Sequence, residues 1–156
     1  MFLIKTNNPL AVLYNDSCVL EAHHCATAFG MTFHDECDIF GEFKESEYRD
    51  FRKLSMSLIL STDMSKHFEL LSKFKTKIST TGIDPSVQED RRFMMEIGIK
   101  MADLNNPSKP LDIAVNWTNR IMEEFFLQGD REKDYQVDIS MFMDRNNTSI
   151  PKCQLG

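Results

Sequence analysis

An aspartate at the end of a helical pattern is the residue of this sequence best suited to bind a metal. Asp103 is followed by a turn rich in asparagine and proline, Asn105-Asn106-Pro107, and then by a second helical pattern with an apolar stripe. Hard cations prefer carboxylate oxygens, so this pattern would suit a metal beside a flat ligand. A helix-end cap or a solvated charge is the plainer interpretation of the same acid, and composition alone favours it.

A glutamate and a histidine lie three residues apart in the segment Glu21-Ala22-His23-His24. On a helix, Glu21 and His24 share a face, where they could hold a metal-bound water or support a ligand. A core histidine fixed by a neighbouring acid fits the same spacing and is the more frequent case. Cys25 does not complete a zinc site, because adjacent helical side chains point about 100° apart.

A polar pair, Thr62-Asp63, interrupts two apolar helical patterns. Asp63 suits the N-cap of the helix that follows, which is the usual role of such a pair. The alternative is that both side chains point into a polar pocket and fix another ligand. Spacing does not separate these two interpretations.

An aromatic and aliphatic stripe follows the Asp103 turn. Trp117, Ile121 and Phe125 recur every four residues and share one helix face. Most such stripes are core, and one becomes the wall of a ligand site only where a pocket leaves its edge open. Gln154 is the remaining candidate, because a side-chain amide both donates and accepts and could grip the edge of a purine.

The elements that must position these residues are predicted to be helices throughout. Asn15-Asp16-Ser17 offers N-cap chemistry for the first of them, and Pro85 suits a first helical position. We predict helices over 18–29, 37–43, 45–60, 64–78, 85–104 and 110–129, with stops at Gly30 and Gly129 and turns in the tail. No segment alternates convincingly as a strand, so the fold class is all-α, a compact multi-helix bundle.

Composition restricts the class of protein. The 156 residues suffice for one domain, and a formal net charge of −6 argues against non-specific nucleic-acid binding. No apolar run is long enough for a membrane segment, and the first residues do not resemble a signal peptide. The four cysteines show no framework spacing, so we expect reduced thiols and a cytoplasmic location.

Five blocks of the sequence carry a resemblance to a known family. They are, in order, LAVLYNDSCVLEAHH, LILSTDMSKHF, IKMADLNNP, WTNRIMEEFFLQGDRE and MDRNNTSIPKCQ. In order and spacing they resemble the C-terminal half of the class I 3′,5′-cyclic-nucleotide phosphodiesterase catalytic domain, closest to its cAMP-specific branches. The resemblance implies the HD-type phosphodiesterase fold and two-metal hydrolysis of the 3′ phosphoester bond of a cyclic nucleotide, with cAMP favoured over cGMP.

The resemblance also implies roles for individual residues. Asp103 matches a ligand of the catalytic metal pair, a zinc and a magnesium or manganese. Glu21 and His24 match groups around the metals and their waters, and Thr62 and Asp63 match a supporting polar pair. On the substrate side, the matches are Gln154 to the glutamine that holds the purine, Asn106 to a base-facing asparagine, and Ile121 and Phe125 to the wall beside the base.

The chain also departs from the family pattern. The upstream metal motifs HNxxHA and HDxxHPG are absent, so we expect residues 1–156 to be the C-terminal part of a catalytic domain and inactive alone. The full-length protein would be the enzyme and could dimerise. The alternative is a short non-catalytic helical protein, derived from a phosphodiesterase, that acts by binding or regulation.

Overall fold

The computed structural model describes residues 2–154, apart from the side chains of Lys152 and Gln154. The predicted all-α class is confirmed, since that range contains helices and turns and no strand. The α-helices are α1 (Phe2–Lys5), α2 (Pro9–Leu13), α3 (Val19–Met31), α4 (Glu45–Ser61), α5 (His67–Thr80), α6 (Gln88–Asp103), α7 (Leu111–Asp134) and α8 (Ile150–Gln154). Short 3-10 helices cover Asp35–Cys37, Met64–Lys66 and Asn106–Ser108. In this part of the chain, no helix is both long and apolar enough to cross a membrane.

The chain divides into two compact units. Residues 17–103 form the central unit, which contains α3 to α6. Residues 1–16 and 104–156 form the terminal unit, which contains α1, α2, α7 and α8.

The central unit has its core between α3, α4 and α6. α4 contacts both other helices. Phe29 of α3 is buried and meets Tyr48 of α4 edge-on, with Phe40 stacked beside it. From α6, Phe93 and Ile97 are buried four residues apart, so they lie on one helix face. Apolar helix faces thus form the core that holds the ends of α4 and α6 in place.

The start of α6 differs from the prediction for Pro85. The helix begins at Gln88, because the preceding residues form a turn. Asp84 accepts hydrogen bonds from the Ser86 backbone and hydroxyl, and the Asp84 backbone N–H donates to Asp90 (2.9 Å). The acids therefore satisfy the turn and the helix start together.

The terminal unit is built on α7, which corrects the prediction of a stop at Gly129. The helix continues to Asp134, and Gly129 is buried inside it. A Cβ built on Gly129 would lie 1.9 Å from the carbonyl oxygen of Met143. The glycine is required there because a later loop passes against the helix, and not because the helix ends.

Two other local predictions are wrong. The segment Asn15-Asp16-Ser17 does not cap α3: Asn15 and Asp16 adopt positive φ angles of 51° and 58°, and Cys18 holds the cap position. The proposed helix over 37–43 is a turn after a 3-10 helix that ends at Cys37. Local polar residues favour turns by bonding their own backbone, which competes with helix formation.

Candidate functional site

A buried lysine joins the end of α6 to the end of α4. Lys100 is 5% exposed, and its Nζ donates hydrogen bonds to the carbonyl oxygens of Ser61 (3.2 Å), Thr62 (3.3 Å) and Asp63 (3.0 Å). Three acceptors match the three donors of an ammonium group. The carbonyls lie where α4 ends, and carbonyls at a helix end lack intrahelical partners and favour a nearby positive charge.

Three predicted site residues act electrostatically on this ammonium group. Burial lowers the pKa of Lys100 below its ordinary value, while the carboxylates of Asp103, Asp63 and Glu21 act in the opposite direction. These acids come from the end of α6, the link between α4 and α5, and the first turn of α3. Acids from three separate segments of the central unit thus act on the charge of Lys100.

The polar pair between α4 and α5 has capping contacts. The Thr62 hydroxyl donates to the carbonyl of Ile59 (2.7 Å), and the Asp63 carboxylate accepts from the backbone N–H of Ser65 (2.8 Å). Burial acts to raise the pKa of Asp63, but hydrogen bonds from Ser65 and Cys18 outweigh it and hold that pKa below its ordinary value. The capping interpretation of Asp63 is confirmed, and support of a ligand stays a prediction.

The predicted metal ligand lies at the surface of the central unit. Asp103 is the last residue of α6 and is exposed, as is His24, while Glu21 is partly buried. Over residues 2–154, no group of three or more His, Cys, Asp or Glu side chains is arranged to hold a metal ion. A carboxylate oxygen suits magnesium or manganese, so Asp103 fits such an ion as one ligand of a larger set.

The asparagine predicted to face the base is tied to α7 in the terminal unit. The Asn106 amide donates to the Ala114 carbonyl (3.3 Å) and to the Thr118 hydroxyl (3.1 Å). Its Oδ1 is buried without a hydrogen-bond partner. The side chain therefore anchors the turn after residue 104, and base contact stays a prediction that requires these bonds to rearrange.

The apolar stripe of α7 is not the core of the terminal unit. Trp117 is 48% exposed, and Ile121 and Phe125 are partly buried, whereas Met122 and Phe126 are the buried residues of this helix segment. The stripe thus lies beside the core face, and its role as a wall for a flat ligand stays a prediction. Gln154 ends α8, and its side chain lies outside the described residues.

The sequence of the whole chain identifies its protein family. All of residues 1–156 match the family model described as 3′5′-cyclic nucleotide phosphodiesterase. The chain belongs to the 3′,5′-cyclic-nucleotide phosphodiesterase family. The resemblance seen in the five sequence blocks is therefore confirmed.

Named relatives and a solved structure agree with the phosphodiesterase assignment. The chain is 42% identical to a 3′,5′-cyclic-AMP phosphodiesterase, isoform F, of Drosophila melanogaster, covering 99% of this chain and 24% of that protein. It is 41% identical to the 3′,5′-cyclic-AMP phosphodiesterase 4C of Rattus norvegicus, covering 99% and 30% respectively. The structure of LmjPDEB1 in complex with IBMX superposes with a TM-score of 0.90 at 33% identity, over 99% of this chain and 47% of that one. The chain thus spans about a quarter of the length of these curated relatives.

A buried carboxylate in the terminal unit was not predicted from the sequence. Glu132 of α7 is 0% exposed and accepts hydrogen bonds from the Ser140 backbone N–H (2.6 Å), the Ser140 hydroxyl (2.7 Å) and the Gln128 amide (3.1 Å). Burial acts to raise the pKa of Glu132, but these bonds hold it below its ordinary value. Together with Gly129, this acid fixes the loop after α7.

Sequence reasoning also missed Lys100. Its signal was weak but present, because Lys100 and Asp103 are three residues apart in the last turns of a helix and so share a face. The carbonyl partners at the end of α4 lie 37 to 39 residues away in sequence. The spacing of local motifs therefore cannot predict these contacts.

A groove of the central unit lies away from the predicted site residues. It runs between α4 and the start of α6 and has a volume of about 420 Å³. Charged and apolar side chains line it: Asp50, Phe51, Lys53, Leu54, Gln88, Glu89, Arg91, Arg92 and Met95. Its lining has no cluster of acids and no orphaned polar atom, so it does not change the assignment of the site.

Proposed function

We propose that this chain forms part of the catalytic domain of a cytoplasmic enzyme that hydrolyses the 3′ phosphoester bond of cyclic AMP. The product is 5′-AMP, and the reaction ends a cyclic-nucleotide signal. The observation that carries the proposal is the match of all 156 residues to the cyclic-nucleotide phosphodiesterase family. The names of the Drosophila and rat relatives support cyclic AMP as the substrate.

In this proposal, the central unit contributes the acidic side of the site. Asp103 is a ligand of a divalent cation, and Glu21 and His24 orient water near it. Thr62 and Asp63 support these groups through the cap between α4 and α5. Bound zinc and magnesium, or manganese, stabilise negative charge on phosphoryl oxygens in hydrolyses of this kind. The acids gathered around Lys100 support this assignment.

The terminal unit contributes the groups for the base. Ile121 and Phe125 offer an apolar wall for a purine ring, and Gln154 offers an amide for the edge of the ring. Asn106 favours adenine in this proposal, because its Oδ1 has no hydrogen-bond partner and an exocyclic amine is a donor. Base contact would replace the bond to Thr118 and turn the amide.

The proposal is tested by removing the predicted metal ligand. In the hydrolytically competent polypeptide that contains this chain, we expect Asp103→Asn to lower kcat for cyclic AMP by roughly 100-fold or more, since ligands and their supports control metal-dependent activity. Asp134→Asn is the matched control, because Asp134 is also exposed and also ends a helix. Equal turnover by the Asp103 variant and the parent would refute the proposed function.

Base preference gives a second test. We expect Asn106→Ala to reduce the ratio of kcat/KM for cyclic AMP to that for cyclic GMP by about 10-fold, the scale of one lost polar contact. Asn119→Ala is the control, since Asn119 is exposed on α7. An unchanged ratio in the Asn106 variant would remove this residue from base recognition and leave the hydrolytic assignment intact.

The isolated 156-residue chain is proposed to be inactive. Asp103 is the sole metal ligand that the family pattern assigns to this sequence, and one ligand does not hold a metal pair. A coupled assay that detects 5′-AMP release from cyclic AMP measures this directly. Turnover by the purified 156-residue chain would overturn the expectation.

A second candidate function is binding without catalysis. It is favoured by strongly exposed apolar side chains, among them Phe33, Phe68, Leu111 and Met141. Surfaces of this kind favour association when they form patches. If the stable cellular product is the 156-residue protein and it lowers the activity of a full-length phosphodiesterase in mixtures, this candidate replaces the first.

A further inference from the structure

The buried ammonium group of Lys100 joins α6 to the main chain at the end of α4. α6 carries both Lys100 and Asp103, and the carbonyl acceptors belong to Ser61, Thr62 and Asp63. The three hydrogen bonds are nearly equal in length, between 3.0 and 3.3 Å. The lysine therefore holds the main chain at the end of α4 at three consecutive points.

Three carboxylates act electrostatically on the ammonium group of Lys100. They belong to Glu21, Asp63 and Asp103, and each favours the charged form of the lysine. A neutral side chain at position 100 would offer neither that attraction nor donors for three carbonyls. These acids are the ones assigned to the metal side of the site. The lysine therefore helps to position them when no metal is bound.

We propose that Lys100 is a positioning residue of the hydrolytic site, which fixes the Asp103-bearing end of α6 against the Thr62–Asp63 main chain. The inference rests on the proposed function. Lys100 touches neither substrate nor metal in this role. It acts through Asp103 and through the cap between α4 and α5, and without it the end of α4 loses three hydrogen bonds to α6.

The test compares two lysines of the central unit in the hydrolytically competent polypeptide that contains this chain. Lys100→Met removes the ammonium group and keeps the length of the side chain. Lys77→Met is the control, because Lys77 bonds Asp90 at 2.8 Å within the same unit and Asp90 is not a predicted site residue. Four quantities are measured: kcat and KM for cyclic AMP, the Kd for Mn²⁺ by electron paramagnetic resonance, and Tm without metal.

We expect both variants to lower Tm, but only Lys100→Met to affect the site. Its kcat should fall and its Kd for Mn²⁺ should rise, each by about 10–100-fold, as for other groups that orient metal ligands. KM for cyclic AMP should change little, because the lysine does not contact the nucleotide. Lys100→Arg keeps the charge but not the geometry of three donors, so it should restore part of both losses.

Each other outcome overturns the inference. If Lys100→Met lowers Tm and leaves kcat and the Kd for Mn²⁺ unchanged, the lysine is structural only. If Mn²⁺ binds more tightly, the ammonium group competes with the metal. Should Lys100→Met not fold, parental kcat and Mn²⁺ binding in Lys100→Arg would likewise overturn the inference. If Asp103→Asn retains turnover, the proposed function itself fails; if only Lys100→Met retains it, this inference alone fails.

Discussion

Lys100 of the central unit and Glu132 of the terminal unit are both buried, with opposite charges and different partners. In the central unit, Lys100 donates to three main-chain carbonyls and has acids for neighbours. In the terminal unit, Glu132 accepts from neutral donors on Ser140 and Gln128. Both groups are nearly inaccessible to solvent and both are fully engaged, as buried charges must be.

The difference lies in what each buried charge joins. The lysine joins the ends of two helices that lie 37 to 39 residues apart in sequence. The glutamate joins one helix, α7, to the loop that follows it, through partners four and eight residues away. The first connection is long-range and the second is local.

The largest effect on stability is expected from the buried glutamate. Glu132→Ala leaves the Ser140 N–H and hydroxyl without their acceptor, so we expect the free energy of unfolding to fall by about 2–4 kcal/mol. Urea denaturation of the 156-residue chain measures this. Glu124→Ala is the control, since Glu124 is exposed on the same helix. Similar losses in the two variants would show that the Ser140 contacts add nothing to stability.

Two glycines inside helices, Gly129 and Gly98, should respond to substitution with opposite signs. Gly129→Ala places a Cβ against the Met143 carbonyl, and we expect a loss of about 1–3 kcal/mol from the overpacking. Gly98→Ala in α6 meets nothing within 4 Å, and we expect a gain of about 0.5–1 kcal/mol from the better helix former. Thermal unfolding of both variants tests the sign of each stability change. A stabilised Gly129→Ala variant would contradict the close approach of the loop.

The smallest effect concerns acid stability of the central unit. The hydrogen bond from Lys77 and that from the Asp84 N–H hold the pKa of Asp90 below its ordinary value. An unfolded Asp titrates near about 3.9, so this stabilisation is fully present above that pH and is lost as pH falls through the lower folded pKa. Asp90→Asn should therefore flatten the dependence of unfolding free energy on pH below about 4.

The control for this effect is Asp50→Asn, since Asp50 is exposed on α4. The measurement is urea denaturation at a series of pH values down to about 2. A pH dependence in Asp90→Asn as steep as in the parent would show that Asp90 does not contribute. We expect the effect to be small because Lys77 retains some contact with solvent.

The sequence predicts helices where apolar periodicity is long and fails where distant chain segments intervene. α4 was predicted over 45–60 and spans Glu45–Ser61, because its stripe extends over more than four turns. Gly129 was interpreted as a stop, since no local rule shows that the Met143 carbonyl approaches it. The turn before α6 depends in the same way on Asp90, whose carboxylate accepts a hydrogen bond from the backbone N–H of Asp84, six residues earlier.

The residues of the candidate site also differ in whether the sequence predicts them. The residue types at Asp103, Glu21 and Gln154 follow from ordered sequence blocks, because the family pattern fixes their positions. Lys100 and Glu132 do not follow, since each is defined by partners that only the fold supplies. Asn106 was assigned to the base, and its bonds to Ala114 and Thr118 show an anchoring contact that sequence reasoning did not foresee.

The terminal unit is discontinuous in the chain, and this has a consequence during synthesis. Lys5 Nζ bonds the carbonyl oxygen of Asp138 at 2.6 Å, and Phe2 meets Tyr135 edge-on. These partners are separated by 133 residues, a span that a ribosome takes roughly ten seconds to translate. The central unit can fold during that interval, whereas the contacts of Phe2 and Lys5 can form only after Tyr135 and Asp138 have left the ribosome.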